Sequence, residues 1–127
     1  MKKIVLESKL VNKGHYVPGM ISNGMVFVSG QLPVHHETGA PMANTIEEQT
    51  MDALHNVELV LKAAGVTKND VVLCRVYIPD VKYWDVVNAK YGEFFGEHKP
   101  ARVVVPSRDL HNGAMIEIEA VAEINKD

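Results

Sequence analysis

Two segments of the 127-residue sequence carry residues that could bind an anion or transfer a proton, and the first of them contains Arg102. It directly precedes three valines in the segment KPARVVVPSR, residues 99–108, which reads as a strand. In an extended backbone, Arg102, Val104 and Pro106 point to the same side. An arginine there can bind a carboxylate through two parallel hydrogen bonds and stays charged at any physiological pH. The pattern leaves three roles open: an anion site, a structural salt bridge or an exposed position at a sheet edge.

The second site is a pair of acidic residues, Glu117 and Glu119, in the apolar segment AMIEIEAVAEI, residues 114–124. If this segment is a strand, the two carboxylates lie on one face, and Ile116 and Ile118 lie on the other. Two like charges on one face of an apolar strand are unfavourable unless they meet solvent, a cation or a ligand. A carboxylate that is partly withdrawn from water could act as an acid or a base. An outer, solvated face of the sheet is the alternative explanation.

The remaining reactive side chains form no pattern that indicates a metal or a nucleophile. Six histidines are present, but none has the spacing of a metal site, and the adjacent His35 and His36 would face apart in a turn. The single cysteine, Cys74, alternates with valines in a predicted buried strand, which favours a core position over a nucleophile. We therefore expect no metal site.

Composition restricts the class of protein and its partners. The length fits one domain covering residues 1–127. A net charge of −3 and a pI near 6.0 provide no general attraction to nucleic acid or to an anionic membrane. No apolar run is long enough for a transmembrane helix, and the N-terminal segment MKKIVLESKL lacks the features of a signal peptide. With the single cysteine, these features predict a cytoplasmic protein without a nucleic-acid or membrane partner.

Two helices are predicted between the strands that carry the candidate residues. Thr45-Ile46-Glu47-Glu48 has the form of a capping box, apolar residues recur at helical spacing as far as Ala64, and Gly65 ends the helix. Asp80 could cap a second helix, whose inward-facing residues would be Trp84, Val87, Tyr91, Phe94 and Phe95. Two helices of this length would cover only one face of a sheet.

The predicted strands give the order β-β-α-β-α-β-β. A short strand and a turn are expected in the first 20 residues, and later strands are predicted from Met25 to near Pro33 and at 71–78, 102–105 and 114–124. The strand at 71–78 is apolar enough to be buried on both faces. Strand–helix–strand units imply crossovers over one face of a mixed sheet, which is an α+β sandwich. The other face needs a partner, so we expect the chain to oligomerise.

Several short motifs together resemble one protein family. In sequence order they are GHYVPG (14–19), VFVSGQLP (26–33), TIEEQT (45–50), VNAKYGEFF (87–95), KPAR (99–102) and IEIEA (116–120). Their order and spacing are similar to those of the RidA/YjgF family, the reactive intermediate imine deaminases, also called the endoribonuclease L-PSP family. The resemblance covers nearly the whole chain. It implies a chorismate-mutase-like fold that forms a homotrimer, with ligand clefts between the subunits.

The resemblance also implies an activity, the hydrolytic deamination of reactive 2-enamine or 2-imino acids such as 2-aminoacrylate to 2-keto acids and ammonia, without a cofactor. Arg102 matches the family arginine that binds the substrate carboxylate, Glu117 matches the glutamate that positions water, and Tyr16 matches the tyrosine of a Gly-Pro-Tyr motif. These three are the implied catalytic residues. The implied substrate-binding residues are Ser29, Gly30, Asn88, Arg102 and Val104.

The chain departs from the family pattern beside Arg102, where Val103 and Val104 replace the serine and cysteine that many members carry. The cleft therefore lacks a thiol, and we expect a changed substrate range without cysteine chemistry. Two other functions stay open. A more apolar cleft fits a regulatory protein that binds 2-keto acids without turnover. An endoribonuclease activity, which the older family name suggests, is disfavoured by the acidic pI and by the lack of a paired-histidine arrangement for RNA cleavage.

Overall fold

Six strands form one mixed sheet in the computed structural model, which describes residues 1–124. In chain order they are β1 (Lys2–Ile4), β2 (Gly19–Ser22), β3 (Met25–Gln31), β4 (Val71–Ile78), β5 (Ala101–Pro106) and β6 (Glu117–Glu123). Across the sheet the order is β1-β2-β3-β6-β4-β5, in which β4 and β5 are parallel and the other neighbours are antiparallel. The sheet and the two helices, α1 (Ile46–Ala63) and α2 (Trp84–Phe95), confirm the predicted α+β fold. The predicted domain end at Asp127 lies outside the described residues.

The first helix begins and ends where the sequence predicts. The Thr45 hydroxyl accepts a hydrogen bond from the Glu48 amide at 3.2 Å and donates one to the Glu48 carboxylate at 2.9 Å. Gly65 follows the helix with a φ of +82°, a left-handed conformation that glycine adopts without strain. Leu54, Val57 and Leu61 on the inward side of the helix are fully buried. Local capping and apolar spacing therefore suffice to define α1.

The second helix follows a single 3₁₀ turn, Val81–Tyr83, that Asp80 caps through a 2.8 Å hydrogen bond from the Lys82 amide. Four of the five residues predicted to face inward are buried, namely Val87, Tyr91, Phe94 and Phe95. The prediction is wrong for Trp84, which is 37% exposed. Trp84 is the first residue of α2, and its ring lies beside the Arg102 guanidinium near the surface rather than in the core.

An additional strand, β2, was not predicted. It pairs with β3 through the tight turn Asn23-Gly24, in which both residues have positive φ, +51° and +71°. Asn-Gly is the preferred dipeptide for such a two-residue turn because its twist matches that of the flanking strands. The dipeptide was therefore an available signal for a hairpin. Strand β3 also ends at Gln31, before the predicted end near Pro33.

Both helices pack on one face of the sheet, so the opposite face is open. The alternation predicted for β6 is confirmed, since Ile118 and Ala120 belong to the core and Glu117 and Glu119 do not. The prediction that β4 is buried on both faces is wrong, because residues such as Arg75 are exposed on the open side. The residues of β4 that face the helices belong to the core, and the residues on its opposite side are not covered within the single chain.

Candidate active site

Arg102 lies on β5, at the edge of the sheet, on the side that carries the helices. Its Nη1 donates a 2.9 Å hydrogen bond to Asn88 Oδ1 on α2. The guanidinium carbon lies 4.9 Å from the centre of the Tyr91 ring and 5.6 Å from that of Trp84, within the range of cation–π attraction. Within residues 1–124, no carboxylate forms a salt bridge with Arg102. An amide and two aromatic rings therefore hold the side chain and leave further N–H donors for an anion.

A surface cleft of about 520 Å³ adjoins Arg102. It is lined by residues that include Asn88, Tyr91, Phe95, His98, Lys99 and Arg102. Val104 lies two positions further along β5, is partly buried and packs against the core. The structure thus brings two of the residues predicted to bind substrate, Asn88 and Arg102, to this cleft, and Val104 does not line it.

Glu117 lies at the start of β6 on the open face of the sheet. The pairing of β3 with β6 is irregular between Val28 and Gln31, and Gly30 lies so close to Glu117 that an added Cβ atom would overlap the carboxylate. Burial raises the pKa of the Glu117 carboxyl and the charge of Glu119 raises it further, while His111 lowers it. Glu117 therefore has the raised proton affinity that an acid or base requires.

The loop that carries Tyr16 is attached to β3 beside this carboxylate. Ser29 Oγ donates a 2.6 Å hydrogen bond to the Val17 carbonyl, and the Ser29 amide donates one of 2.9 Å to the Pro18 carbonyl. The Tyr16 side chain is 58% exposed. Ser29 and Gly30 thus connect the Tyr16 loop to the strand that contacts Glu117.

The two groups of candidate residues lie on opposite faces of the sheet. Arg102 is paired in register with Cys74, which belongs to the core on the helix side. Glu117 is paired in register with Tyr77, whose hydroxyl contacts Glu119 on the open face. Arg102 and Glu117 of one chain therefore do not line the same cleft.

Two residues that the sequence analysis did not single out lie beside the acidic pair. Tyr77 donates a 2.5 Å hydrogen bond to Glu119 Oε1, and Arg75 Nη1 lies 3.8 Å from Glu119 Oε2. Arg75 and Tyr77 lie on one side of β4, and the alternation of side chains in a strand is sufficient to predict this from the sequence. Their position opposite Glu119 and Glu117 depends on the pairing of β4 with β6, which alternation alone does not reveal.

Cys74 and the two adjacent histidines have structural contacts away from the candidate site. Cys74 is fully buried, and burial raises the pKa of its thiol to about 11, which confirms a core role. His35 and His36 have different partners: His35 Nε2 lies 3.5 Å from the Asp52 carboxylate, and His36 Nδ1 lies 2.7 Å from Ser8 Oγ. In the part of the chain that the structure describes, no cluster of three histidine, cysteine or acidic residues could hold a metal ion. No helix there is both long and apolar enough to cross a membrane.

The sheet order and the two helices on one face define an α+β sandwich protein. The family model described as Endoribonuclease L-PSP matches residues 6–124, and the chain belongs to that family, the RidA/YjgF family predicted from the motifs. The 2-iminobutanoate/2-iminopropanoate deaminase of Salmonella typhimurium is 39% identical over 124 residues, which cover 95% of this chain and 96% of that protein.

Two solved structures are also similar. The Escherichia coli YjgF gene product superimposes with a TM-score of 0.91 at 35% identity, over 98% of this chain and 100% of that chain. Escherichia coli TdcF, solved with bound serine, superimposes with a TM-score of 0.90 at 33% identity, over 97% and 98% of the two chains. The fold predicted from the sequence is therefore that of the solved relatives.

Proposed function

We propose that this protein hydrolyses 2-imino acids and their 2-enamine tautomers to 2-keto acids and ammonia. The observation that carries the proposal is the state of Arg102, a half-buried guanidinium held by Asn88 and two aromatic rings without a carboxylate partner among residues 1–124. Such a group is ready to bind a carboxylate through two hydrogen bonds. The similarity to a 2-iminobutanoate/2-iminopropanoate deaminase supports 2-imino acids as the ligands that supply this carboxylate.

The proposed active site lies between two copies of the chain. Arg102 and Glu117 lie on opposite faces of one sheet, and a small 2-imino acid cannot contact both within one chain. The open face also exposes large apolar side chains, since Phe27 and Val103 are each 45% exposed. We propose a homotrimer in which the open faces pack around the centre, so that Glu117 of one copy approaches Arg102 of the next.

The proposed reaction begins with the substrate carboxylate on Arg102. The backbone N–H of Gly30 and the Tyr16 hydroxyl would orient the planar imine. Holding the imine in the reactive geometry lowers the entropic cost of the attack by water. Glu117 would hold a water molecule against C2 and accept its proton as the C–O bond forms. The resulting carbinolamine takes that proton on nitrogen. Glu117 then accepts the proton of the new hydroxyl group as the C–N bond breaks, which releases the 2-keto acid, and this proton leaves with ammonia as ammonium. A protonated imine is electrophilic enough for this sequence to proceed without a metal or an organic cofactor.

The residues around the site favour small, apolar side chains on the substrate. Val104 is an apolar neighbour of Arg102 on the same side of β5. We propose that the substrates are compounds such as 2-aminoacrylate or 2-iminobutanoate. Because no thiol lies at this position, the proposed chemistry proceeds through Glu117 and water.

Replacing Arg102 tests the proposal. An amino-acid oxidase generates the imine, and the acceleration of its conversion to 2-keto acid measures turnover. Arg102→Gln should remove the acceleration, whereas Arg108→Gln, a change at an exposed arginine of the same segment, should retain it. Sedimentation would verify that both variants keep the oligomeric state of the wild type. An Arg102→Gln protein as active as wild type would show that this arginine does not bind the substrate.

A second candidate function is binding of small carboxylates without turnover. The bound serine in TdcF favours it, because that relative holds a small amino acid in the same fold. Calorimetry with 2-oxobutyrate separates the two functions when it is combined with the imine assay. Binding without any acceleration of imine hydrolysis would support the regulatory function over the enzymatic one.

A further inference from the structure

The acidic pair on the open face of β6 is asymmetric. Glu117 and Glu119 are two positions apart on the same side of the strand, so their Cα atoms are separated by about 7 Å. Glu119 receives the 2.5 Å hydrogen bond from Tyr77 and lies 3.8 Å from Arg75. Within residues 1–124, no side chain forms a hydrogen bond or a salt bridge with Glu117. One carboxylate is therefore fixed in place by its neighbours, and the other is left for a ligand or a water molecule.

We propose that Glu119, fixed by Tyr77 and Arg75, is a positioning residue that sets the pH range over which Glu117 exchanges its proton. This inference rests on the proposed function, in which Glu117 relays a proton. A negative charge held at a constant short distance favours the protonated form of a neighbouring carboxyl group. Because Glu119 Oε1 is occupied by Tyr77, Glu119 is poorly placed to take over the relay itself.

The surroundings of Glu117 agree with this role. From β3, Gly30 brings only backbone against the carboxylate; from β4, Tyr77 is the cross-strand neighbour, and Arg75 contacts Glu119. Burial and Glu119 both raise the pKa of Glu117, while His111, which precedes β6, lowers it. The hydrogen bond to Glu119 raises the pKa of Tyr77, so this hydroxyl keeps its proton and continues to donate at neutral pH.

Charge substitutions with opposite expected signs test the inference. The probe is the side-chain carboxyl carbon of Glu117 in the full chain, followed by NMR as a function of pH. Glu119→Gln removes the negative neighbour and should lower the pKa of Glu117. Arg75→Gln removes the cation that offsets Glu119 and should raise it. Glu123→Gln removes a charge from the same side of the same strand at about 20 Å, beyond the screening length, and should leave the pKa unchanged.

The outcomes separate this inference from the proposed function. If Glu119→Gln leaves the titration of Glu117 unchanged, or if it and Arg75→Gln shift the titration in the same direction, the positioning role is wrong. The titration does not depend on turnover, so a protein that fails to hydrolyse imines would refute the proposed function while the coupling of the two carboxylates is still measured. In an active protein, the acid limb of the pH–rate profile should move to lower pH in Glu119→Gln. Sedimentation of each variant would verify that the oligomeric state is unchanged.

Discussion

Replacing Gly30 by alanine tests how closely β3 must approach Glu117. An added Cβ atom would overlap Glu117 Oε2 and lie 3.1 Å from its Cδ atom. Gly30 does not have a positive φ, so alanine fits the backbone, and the conflict is with the Glu117 side chain alone. The expected result is a folded protein in which the Glu117 carboxylate has moved away from β3.

The expected sizes of the two effects differ. Glu117 is half-buried, and a rotation of its side chain relieves the overlap, so the free energy of unfolding should fall by no more than about 1 kcal/mol. The rate of imine hydrolysis should fall by about 100-fold, because a displacement of about 1 Å is sufficient to misplace a reacting group to that extent. Urea unfolding and the oxidase-coupled assay measure the two quantities.

Two other glycines provide matched comparisons for stability. A Cβ atom on Gly92, within α2, meets no atom within 4 Å, so Gly92→Ala should stabilise the fold by up to about 1 kcal/mol through helix propensity. A Cβ atom on Gly19 would lie 2.9 Å from the Phe27 carbonyl oxygen, so Gly19→Ala should destabilise the fold. If folded Gly30→Ala protein hydrolyses imines at the wild-type rate, then the contact between Gly30 and Glu117 does not position a catalytic carboxylate.

Two further predictions concern stability. Burial and Glu119 raise the pKa of Glu117 above its value in the unfolded chain, so its contribution to stability is lost as the pH rises through the folded pKa. Glu117→Gln should therefore have a higher Tm than wild type at pH 7. The difference should disappear as the pH falls below the ordinary glutamate value of about 4.3, where the carboxyl group is protonated in both the folded and the unfolded chain. A lower Tm at pH 7 would contradict the stated burial cost. Leu54 of α1 is fully buried, so Leu54→Ala should lower the free energy of unfolding by about 2–5 kcal/mol in urea titrations, and a loss below about 1 kcal/mol would contradict its core position.

Local signals predicted the helices well and the short strands less well. The Thr45 cap and the stop at Gly65 act within a few residues, so the bounds of α1 follow from the sequence. Strand β2 has only four residues and begins with a glycine, so its apolar pattern is too short to indicate a strand without the turn that follows. The prediction that Trp84 faces the core was wrong because Asp80 caps a 3₁₀ turn and not α2 itself. The helix therefore begins only at Trp84, later than the predicted cap implies.

For the candidate site, too, the sequence predicted the features that depend on neighbouring residues and missed the contacts that depend on the tertiary structure. Alternation along β6 assigned Glu117 and Glu119 to one face, because side-chain direction in a strand depends only on residue parity. The sequence could also nominate Arg102, since a charge before a valine run requires a partner. It could not identify Asn88, Tyr91 and Trp84 as the residues that hold the guanidinium, because these contacts depend on where α2 crosses β5.

The sequence by itself therefore determined the family, the α+β class and the residue types available for chemistry. The tertiary structure decided which of those residues meet. Strand register placed Tyr77 and Arg75 against the acidic pair, and the parallel pairing of β4 with β5 placed Arg102 on the face opposite Glu117. Register and face arise from contacts between residues distant in the chain, and for this reason the placement of Arg102 and Glu117 on opposite faces of the sheet became evident only in the folded structure.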